Sequence, residues 1–368
     1  MGERFKTRTL AVSRALARGI GWRHALPSKL DRVLVAHNLL LGDTLMLTPL
    51  LAKLRANHPA AEITLLAAPS FVALYQGRPY GVRALPFSPS SSATTRALLE
   101  EEAFDLAIVV GDNRYSWLAA AMRARHIVAH AGDSSWTKDV FVDEQRPYSS
   151  TPEAWGDMVA SLVDGAEPPR YSRSDWPAPA FTPFERPARP YAVLHVGAST
   201  PLKYWVPSRW KEVAADLERR GIDTVWSGGR GEEAIVSVVD PEGRHPSYAG
   251  RLDLAQLWHL ISGARVLIAP DTGVAHMGRA AFTPSITLFG PGSAVLCGSG
   301  DFWSDAPQRA LTVDPFPCRD QRVLFRRELD WVRRCTRTPA QCASPRCMEA
   351  IGVDRVLQAL DELLGARG

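Results

Sequence analysis

The sequence predicts an α/β protein built as two doubly wound domains whose strand ends face a central cleft. Three observations predict it. Short apolar, β-branched runs alternate with helical patterns in the first half of the chain. A proline-dense stretch interrupts them near residues 165–190, and the same alternation restarts beyond it. Strands alternating with helices build parallel sheets covered on both faces. A chain of 368 residues is long enough for two such domains, each with its own core.

Residues 1–30 read as a basic amphipathic arm. Arg4, Lys6, Arg8, Arg14, Arg18, Arg23 and Lys29 face a single acid, Glu3, so the arm holds more than the whole net charge of +4. Phe5, Thr9, Val12, Leu16 and Ile20 recur at helical spacing. Such a helix could lie on an anionic membrane surface, the peripheral inner membrane being the candidate partner. A frayed tail or a helix packed on the body would account for the same pattern. With basic charge confined to the arm, no nucleic-acid partner is expected.

The N-terminal domain is placed at 31–170. Its strands are "RVLVA" (32–36), "EITLLAA" (62–68), "FDLAIVV" (104–110) and "HIVAH" (126–130). After the first strand, "LLLGDTLMLTP" (39–49) sets a lone carboxylate, Asp43, among apolar residues. Thr48-Pro49 reads as cap and first residue of the following helix, which leaves Asp43 without a capping role. A helix starting at Thr44 would instead make Asp43 its N-cap.

Proline removes a backbone donor and fixes φ, so 171–190 reads as an interdomain linker. The C-terminal domain, 191–345, has strands "YAVLHVGAS" (191–199), "IDTVWSGG" (222–229), "RVLIAP" (265–270) and "PSITLFGPG" (284–292). Between them lie helices at 207–221 and 252–264, the second with Asp253 in N-cap position. A final helix, 346–368, is free to pack back on the N-terminal domain.

Ligands of doubly wound sheets bind beyond the carboxyl ends of the strands, so the loops there carry the chemistry. "GASTPLKYW" (197–205) offers the hydroxyls of Ser199 and Thr200 and the cation of Lys203. "SGGRGEE" (227–233) is neither a dinucleotide fingerprint nor a P-loop. Its turn at Gly228 followed by Glu232 could hold a ribose through two vicinal hydroxyls, or Glu232 could be a solvated first-turn acid. In "APDTGVAHMGRAA" (269–281) Asp271, Thr272 and Gly273 sit where a strand becomes a helix, a place suited to a pyrophosphate, with His276 one turn on. A plain N-cap for Asp271 and a satisfied core histidine for His276 are the simpler readings.

"GDTLMLTPLLAKLRANHPAAEITLLA", "GASTPLKYWVPSRWKEVAADLERRGIDTVWSGGRGEE" and "PDTGVAHMGRAAFTPSITLFGP" occur in order between residues 31 and 360. Together they resemble glycosyltransferase family 9, the ADP-heptose:lipopolysaccharide heptosyltransferases. The resemblance implies the GT-B architecture, two Rossmann-like domains with the acceptor on the N-terminal one and the nucleotide sugar on the C-terminal one. It implies Asp43 as the base that takes a proton from the acceptor hydroxyl. It further implies Lys203, with Ser199 or Thr200, on the donor diphosphate, Glu232 on the ribose, and Asp271, Thr272, Gly273 and His276 on the sugar and pyrophosphate. The implied reaction is inverting transfer of heptose from ADP-heptose to a hydroxyl of the lipopolysaccharide core. A protein or small-molecule acceptor, or another NDP-sugar, fits the same residues; a nucleotide-sugar epimerase or a non-catalytic sugar-binding protein would share the fold. No two aspartates stand at i, i+2 as a metal-holding Asp-x-Asp pair would. Neutralisation of the leaving group by Lys203 and helix amides, with no cofactor, is therefore expected.

Cys318, Cys335, Cys342 and Cys347 gather near the C-terminus among seven arginines, Arg319, Arg322, Arg326, Arg327, Arg333, Arg334 and Arg337. Four thiolates could hold structural zinc or iron, and the family resembled includes an iron-binding branch among the autotransporter heptosyltransferases. Only the last pair has metal-like spacing, so reduced, buried thiols are the leading alternative. Reduced thiols suit a cytoplasmic protein, which the lack of an apolar run of about 20 residues and of a secretory signal also predicts.

Overall fold

The computed structural model describes residues 2–20 and 23–365. The chain divides into two units. Unit 1 runs to Pro169 and also takes in Val323–Trp331; unit 2 comprises Arg170–Arg322 and the chain from Val332 on.

Unit 1 contains, in order, α1 (Glu3–Leu16), β1 (Arg32–Ala36), α2 (Leu41–Leu45), α3 (Thr48–Asn57), β2 (Glu62–Ala67), β3 (Arg83–Pro86), α4 (Ser92–Leu99), β4 (Leu106–Val109), α5 (Ser116–Ala121), β5 (His126–His130), β6 (Glu144–Arg146) and α6 (Trp155–Ala160). Its six strands are all parallel, in the order β3-β2-β1-β4-β5-β6. Strands covered by helices on both faces must be apolar on both faces. Accordingly Val33, Leu34 and Val35 of β1 and Ala107, Ile108 and Val109 of β4 are wholly buried. The strand order turns at β1, which pairs with β2 on one side and β4 on the other, so the crevice at the β1–β4 carboxyl ends is the switch point of the sheet.

The arm is neither frayed nor free. Thr7, Leu10, Ala11 and Ala15 of α1 pack on α4 and α5, with Ala15 wholly buried. The Glu3 carboxylate accepts from the Ser92 amide (3.0 Å) and hydroxyl (2.7 Å) in the first turn of α4. Arg18 donates to Asp143 (2.5 Å) and to the Arg125 carbonyl (2.7 Å). This docking stripe differs from the apolar stripe read in the sequence. Phe5, Leu16 and Ile20 point outward, 56%, 46% and 60% exposed.

Unit 2 contains β7 (Tyr191–His195), α7 (Pro207–Arg219), β8 (Asp223–Ser227), α8 (Glu233–Val239), α9 (Leu254–Ser262), β9 (Val266–Pro270), α10 (Gly273–Ala280), β10 (Ser285–Phe289) and β11 (Gln308–Thr312). There follow β12 (Val323–Leu324) and β13 (Arg327–Glu328), which belong to unit 1, and then α11 (Arg346–Glu349) and α12 (Val353–Gly365) in unit 2. Five parallel strands run in the order β11-β10-β9-β7-β8, so the switch point lies between β7 and β9. Helix α7 shows how the sequence builds this layer. Pro207 starts it, Trp210, Val213, Ala214 and Leu217 bury one face, and Gly221 at φ 70° turns the chain just past its end.

Two expectations change here. The closing helix does not return to unit 1. Val356, Ala359, Leu360 and Leu363 of α12 join the core of unit 2 beside α7, β10 and β11. The proline-rich stretch is not a free linker either, because its aromatic residues anchor it along unit 2. The Tyr171 hydroxyl donates to the Ala280 carbonyl, the Trp176 ring lies 5.6 Å from that of Trp258, and Phe181 lies 3.8 Å from the His259 ring.

Candidate active site

In unit 2 the strand-end loops assemble one polar cluster around the end of β7. Thr200 Oγ1 accepts from the Leu202 amide at 3.4 Å, capping a single 3-10 turn that carries Lys203. From there Lys203 Nζ reaches the end of β9 and donates to the Asp271 carbonyl (2.6 Å) and to Asp271 Oδ2 (2.9 Å). Asp271 is buried, yet it is not the cap of α10. That position belongs to Thr272, whose side chain makes no capping bond and whose Oγ1 is buried without a hydrogen-bond partner. His276, inside α10, is buried and its pKa is held down to about 3 by burial, with the positive charge of Arg279 as the second cause. It is therefore a neutral imidazole near neutral pH.

On the other side of β7, the turn after β8 folds Glu232 back so that its carboxylate accepts from the Gly229 amide. Gly228 and Gly197 leave room for it. A Cβ on Gly197 would stand 1.7 Å from Glu232 Oε2. Gly197 is thus a site residue that sequence reasoning did not single out, as is Gly292, where a Cβ would stand 2.3 Å from Asp271 Oδ2. Thr200, Lys203, Asp271, Thr272, Gly273 and His276 fall in one cluster and Gly228 with Glu232 in its neighbour. Ser199 is exposed at the edge of the loop.

In unit 1 the loop after β1 holds Asp43. The buried His37 accepts the Leu39 amide on Nδ1 at 3.1 Å, which leaves the ring proton on Nε2. Burial lowers the His37 pKa to about 3. Helix α2 begins at Leu41, with Leu40 as a cap that has no side-chain oxygen, so Asp43 lies in the first turn and is not an N-cap. Thr48 is not a cap either. It is already helical, and its hydroxyl donates back to the Leu45 carbonyl at 2.6 Å. Neither capping reading of this stretch survives, and Asp43 stays half-buried at the β1 end of the switch point.

The facing β4 and β5 ends are held by Arg327, one of the C-terminal arginines that the sequence offered to an anionic acceptor or to a solvated helix face. Its guanidinium is buried and all five donors are used. Nε donates to the Ala131 carbonyl (2.7 Å), Nη1 to the carbonyls of Gly111 (2.8 Å) and Phe325 (2.9 Å), and Nη2 to Asn113 Oδ1 (2.7 Å) and the His130 carbonyl (2.8 Å). His130 stacks on Tyr148 with ring centroids 3.8 Å apart, and its pKa falls to about 3, first from burial and then from the charge of Arg327.

The cysteines do not form the metal cage considered above. Among the described residues no group of three or more His, Cys, Asp or Glu side chains is placed to hold a metal ion. Burial and then the neighbouring Cys335 raise the Cys318 pKa, whereas Cys342 turns to the Ser344 carbonyl at 3.4 Å. Burial raises the Cys347 pKa to about 11, as suits a neutral thiol in an apolar setting.

Two parallel sheets, each with its polar residues at a switch point, define a GT-B α/β protein. A glycosyl transferase family 9 protein from Veillonella parvula has this fold, with a TM-score of 0.71 at 17% identity over 92% of this chain and 99% of that one. So does the ADP-heptose lipopolysaccharide heptosyltransferase II of E. coli, with a TM-score of 0.66 at 18% identity over 91% and 98%. The family model for glycosyltransferase family 9 (heptosyltransferase) matches residues 93–310, and the chain belongs to that family. Lipopolysaccharide heptosyltransferase 1 of Pseudomonas aeruginosa is 27% identical over 188 residues, 48% of this chain; the chain spans 49% of that relative's own length.

Proposed function

We propose that the protein is an inverting glycosyltransferase that moves heptose from ADP-heptose to a hydroxyl of a lipopolysaccharide core acceptor. One observation carries the reading. A family 9 chain places a carboxylate, Asp43, at one switch point and a Lys203–Asp271 pair beside a helix N-terminus at the other. The names of the E. coli and P. aeruginosa proteins support the donor and the acceptor class.

The chemistry follows from the side chains. An alcohol is a weak nucleophile near neutral pH, so Asp43 takes the proton of the acceptor hydroxyl as its oxygen bonds to C1 of the heptose. The bond from C1 to the diphosphate oxygen breaks, the electron pair leaves with ADP, and the anomeric configuration inverts. An ammonium has three donors, and two of those on Lys203 are directed at Asp271, so the third serves a phosphate oxygen. The first-turn amides of α10 and the buried Thr272 hydroxyl add donors to the departing diphosphate. Glu232 holds the ribose through the carboxylate oxygen directed away from Gly229.

The arm completes the proposal. With α1 docked by one stripe, Phe5 and Leu16 lie outward with the exposed Arg8 next to them, and Ile20 is exposed just past the helix, a face suited to the anionic membrane that carries the acceptor. The test of the transfer reading is ADP release from ADP-heptose with and without lipopolysaccharide core. Acceptor-dependent release is expected, and release that ignores the acceptor, or none, would overturn it. Flotation with anionic vesicles tests the arm, and unchanged flotation of a Phe5→Ser, Leu16→Ser, Ile20→Ser triple variant would refute it.

A further inference from the structure

The segment Val323–Trp331 leaves unit 2 and joins unit 1 as a small hairpin. Its neck is closed inside unit 2. Gln321 and Arg334 exchange backbone hydrogen bonds at 3.0 and 3.2 Å, and Arg337 bonds the Cys318 carbonyl (2.6 Å) and the Asp320 carboxylate (2.8 Å). Its tip is fixed in unit 1 by Arg327, whose five bonds reach the carbonyls after β4 and β5. A hairpin tip with this much anchoring in unit 1 presents whatever stands at its turn in a fixed place on that unit.

At the turn stand Phe325 and Arg326, both with positive φ, 44° and 69°. A two-residue hairpin requires this geometry, and Asn-Gly adopts it without strain. Bulky residues do not. Strained backbone of this kind persists where the surrounding structure imposes it, and it concentrates at functional sites. The turn lies beside the segment that carries Asp43. Leu39 Cδ2 and Phe325 Cε1 stand 3.1 and 3.3 Å from the same point, the place a Gly111 Cβ would occupy. The Phe325 ring centroid is 4.9 Å from that of Trp155 in α6. The next residue of α6, Gly156, backs onto the Met46 carbonyl, where a Cβ would stand 2.6 Å away. Phe325 therefore seats the turn beside Leu39 and on Trp155, whose neighbour Gly156 backs onto Met46.

Among the described residues, the cations around this switch point are spent, with one exception. Arg327 uses every donor on carbonyl and amide oxygens. Lys138 lies between Asp112 and Asp133, 2.9 Å from each, and Arg114 pairs with Asp112 at 2.8 Å. Arg326 is exposed and makes no hydrogen bond or ion pair with any described residue. We propose that the hairpin Val323–Trp331 is an acceptor-recognition element and that Arg326 pairs with an anionic group, carboxylate or phosphate, on the acceptor saccharide. The proposal rests on the reading of the Asp43 side as the acceptor site.

The test is calorimetric binding of deacylated lipopolysaccharide core oligosaccharide to the full chain and to Arg326→Gly. Glycine accepts positive φ freely, so this variant should melt no lower than the parent, which separates recognition from folding. Losing one charge-assisted pair should weaken oligosaccharide binding about tenfold or more, with ADP-heptose binding unchanged and Arg326→Lys retaining part of the affinity. Phosphatase treatment or carboxyl reduction of the oligosaccharide should lower the parent's affinity to the variant's level, and the treatment that does so identifies the anion. Equal binding by parent and variant, equal binding of charged and neutral saccharide, or no binding by the parent would overturn the proposal. If the oligosaccharide binds through Arg326 but no acceptor-dependent ADP release occurs, the transfer reading fails and this one stands; transfer with an unchanged acceptor KM in Arg326→Gly gives the reverse.

Discussion

The two switch points are built by opposite means. In unit 2 the polar side chains come from loops that directly follow β7, β8 and β9, and they satisfy one another, Lys203 on Asp271 and Glu232 on the Gly229 amide. In unit 1 the walls are tied together by Arg327, 196 residues beyond the Ala131 carbonyl it binds. A site made of strand-end loops is encoded locally. A site closed by a distant hairpin has no local signature at all.

That difference can be attacked from either side. The largest effect should come from Asp43→Asn, which removes the base and nothing that binds the donor. Turnover should fall by about 10²- to 10⁴-fold in a single-turnover assay. Next is Lys203→Met, which strips the diphosphate of its cation and leaves Asp271 buried without its ammonium. Turnover should fall by about 100-fold, and the melting temperature should drop with a loss of about 1–3 kcal/mol. Arg327→Leu should spare donor binding but destabilise unit 1 by roughly 3 kcal/mol, since five acceptors lose a charged donor at once and, among the described residues, only the His130 carbonyl keeps another, from Asn113. Hydrogen exchange would show the loss at the ends of β4 and β5 if the comparison is right, and in unit 2 if it is wrong.

Smaller effects are sharper. Thr272→Val removes a hydroxyl that has no partner among the described residues. Stability should hold or rise, while ADP-heptose affinity falls about fivefold, because only the ligand misses the hydroxyl. Acid titration acts on both units together. His37 and His276 have folded pKa values of about 3, below the ordinary histidine value near 6.5. The unfolded chain binds these protons first, so stability is fully present above pH of about 6.5 and is lost progressively as pH falls toward about 3. Replacing either histidine with Gln should flatten that slope in urea melts taken across the range.

The contrast also explains what the sequence disclosed. Central strands such as "RVLVA" and "RVLIAP" are apolar on both faces and announce themselves. β3, β6 and β11 went unread because they are sheet edges, short and partly polar, as "EQR" of β6 shows. The polar cluster of unit 2 was legible because Lys203, Glu232 and Asp271 each follow a strong strand. The pairing of Lys203 with Asp271 was not, since it spans 68 residues. Around Asp43 the helix start was misplaced. Thr48-Pro49 looks like a beginning, but the shorter helix α2 precedes it with an uncapped first turn. The proline-rich stretch and the arginine-rich tail misled for one reason. Proline excludes central strands and helix interiors from the first, and in neither does composition disclose the aromatic and guanidinium anchors that fix it to a folded surface.

The central claim is that unit 1 supplies the base and unit 2 holds the donor. Calorimetric titration of ADP-heptose into Asp43→Asn, in parallel with its single-turnover rate, tests this most directly. The account predicts donor affinity within about threefold of the parent with the transfer rate lowered by about 10²- to 10⁴-fold. Transfer retained, or donor binding lost along with it, would contradict the division of labour.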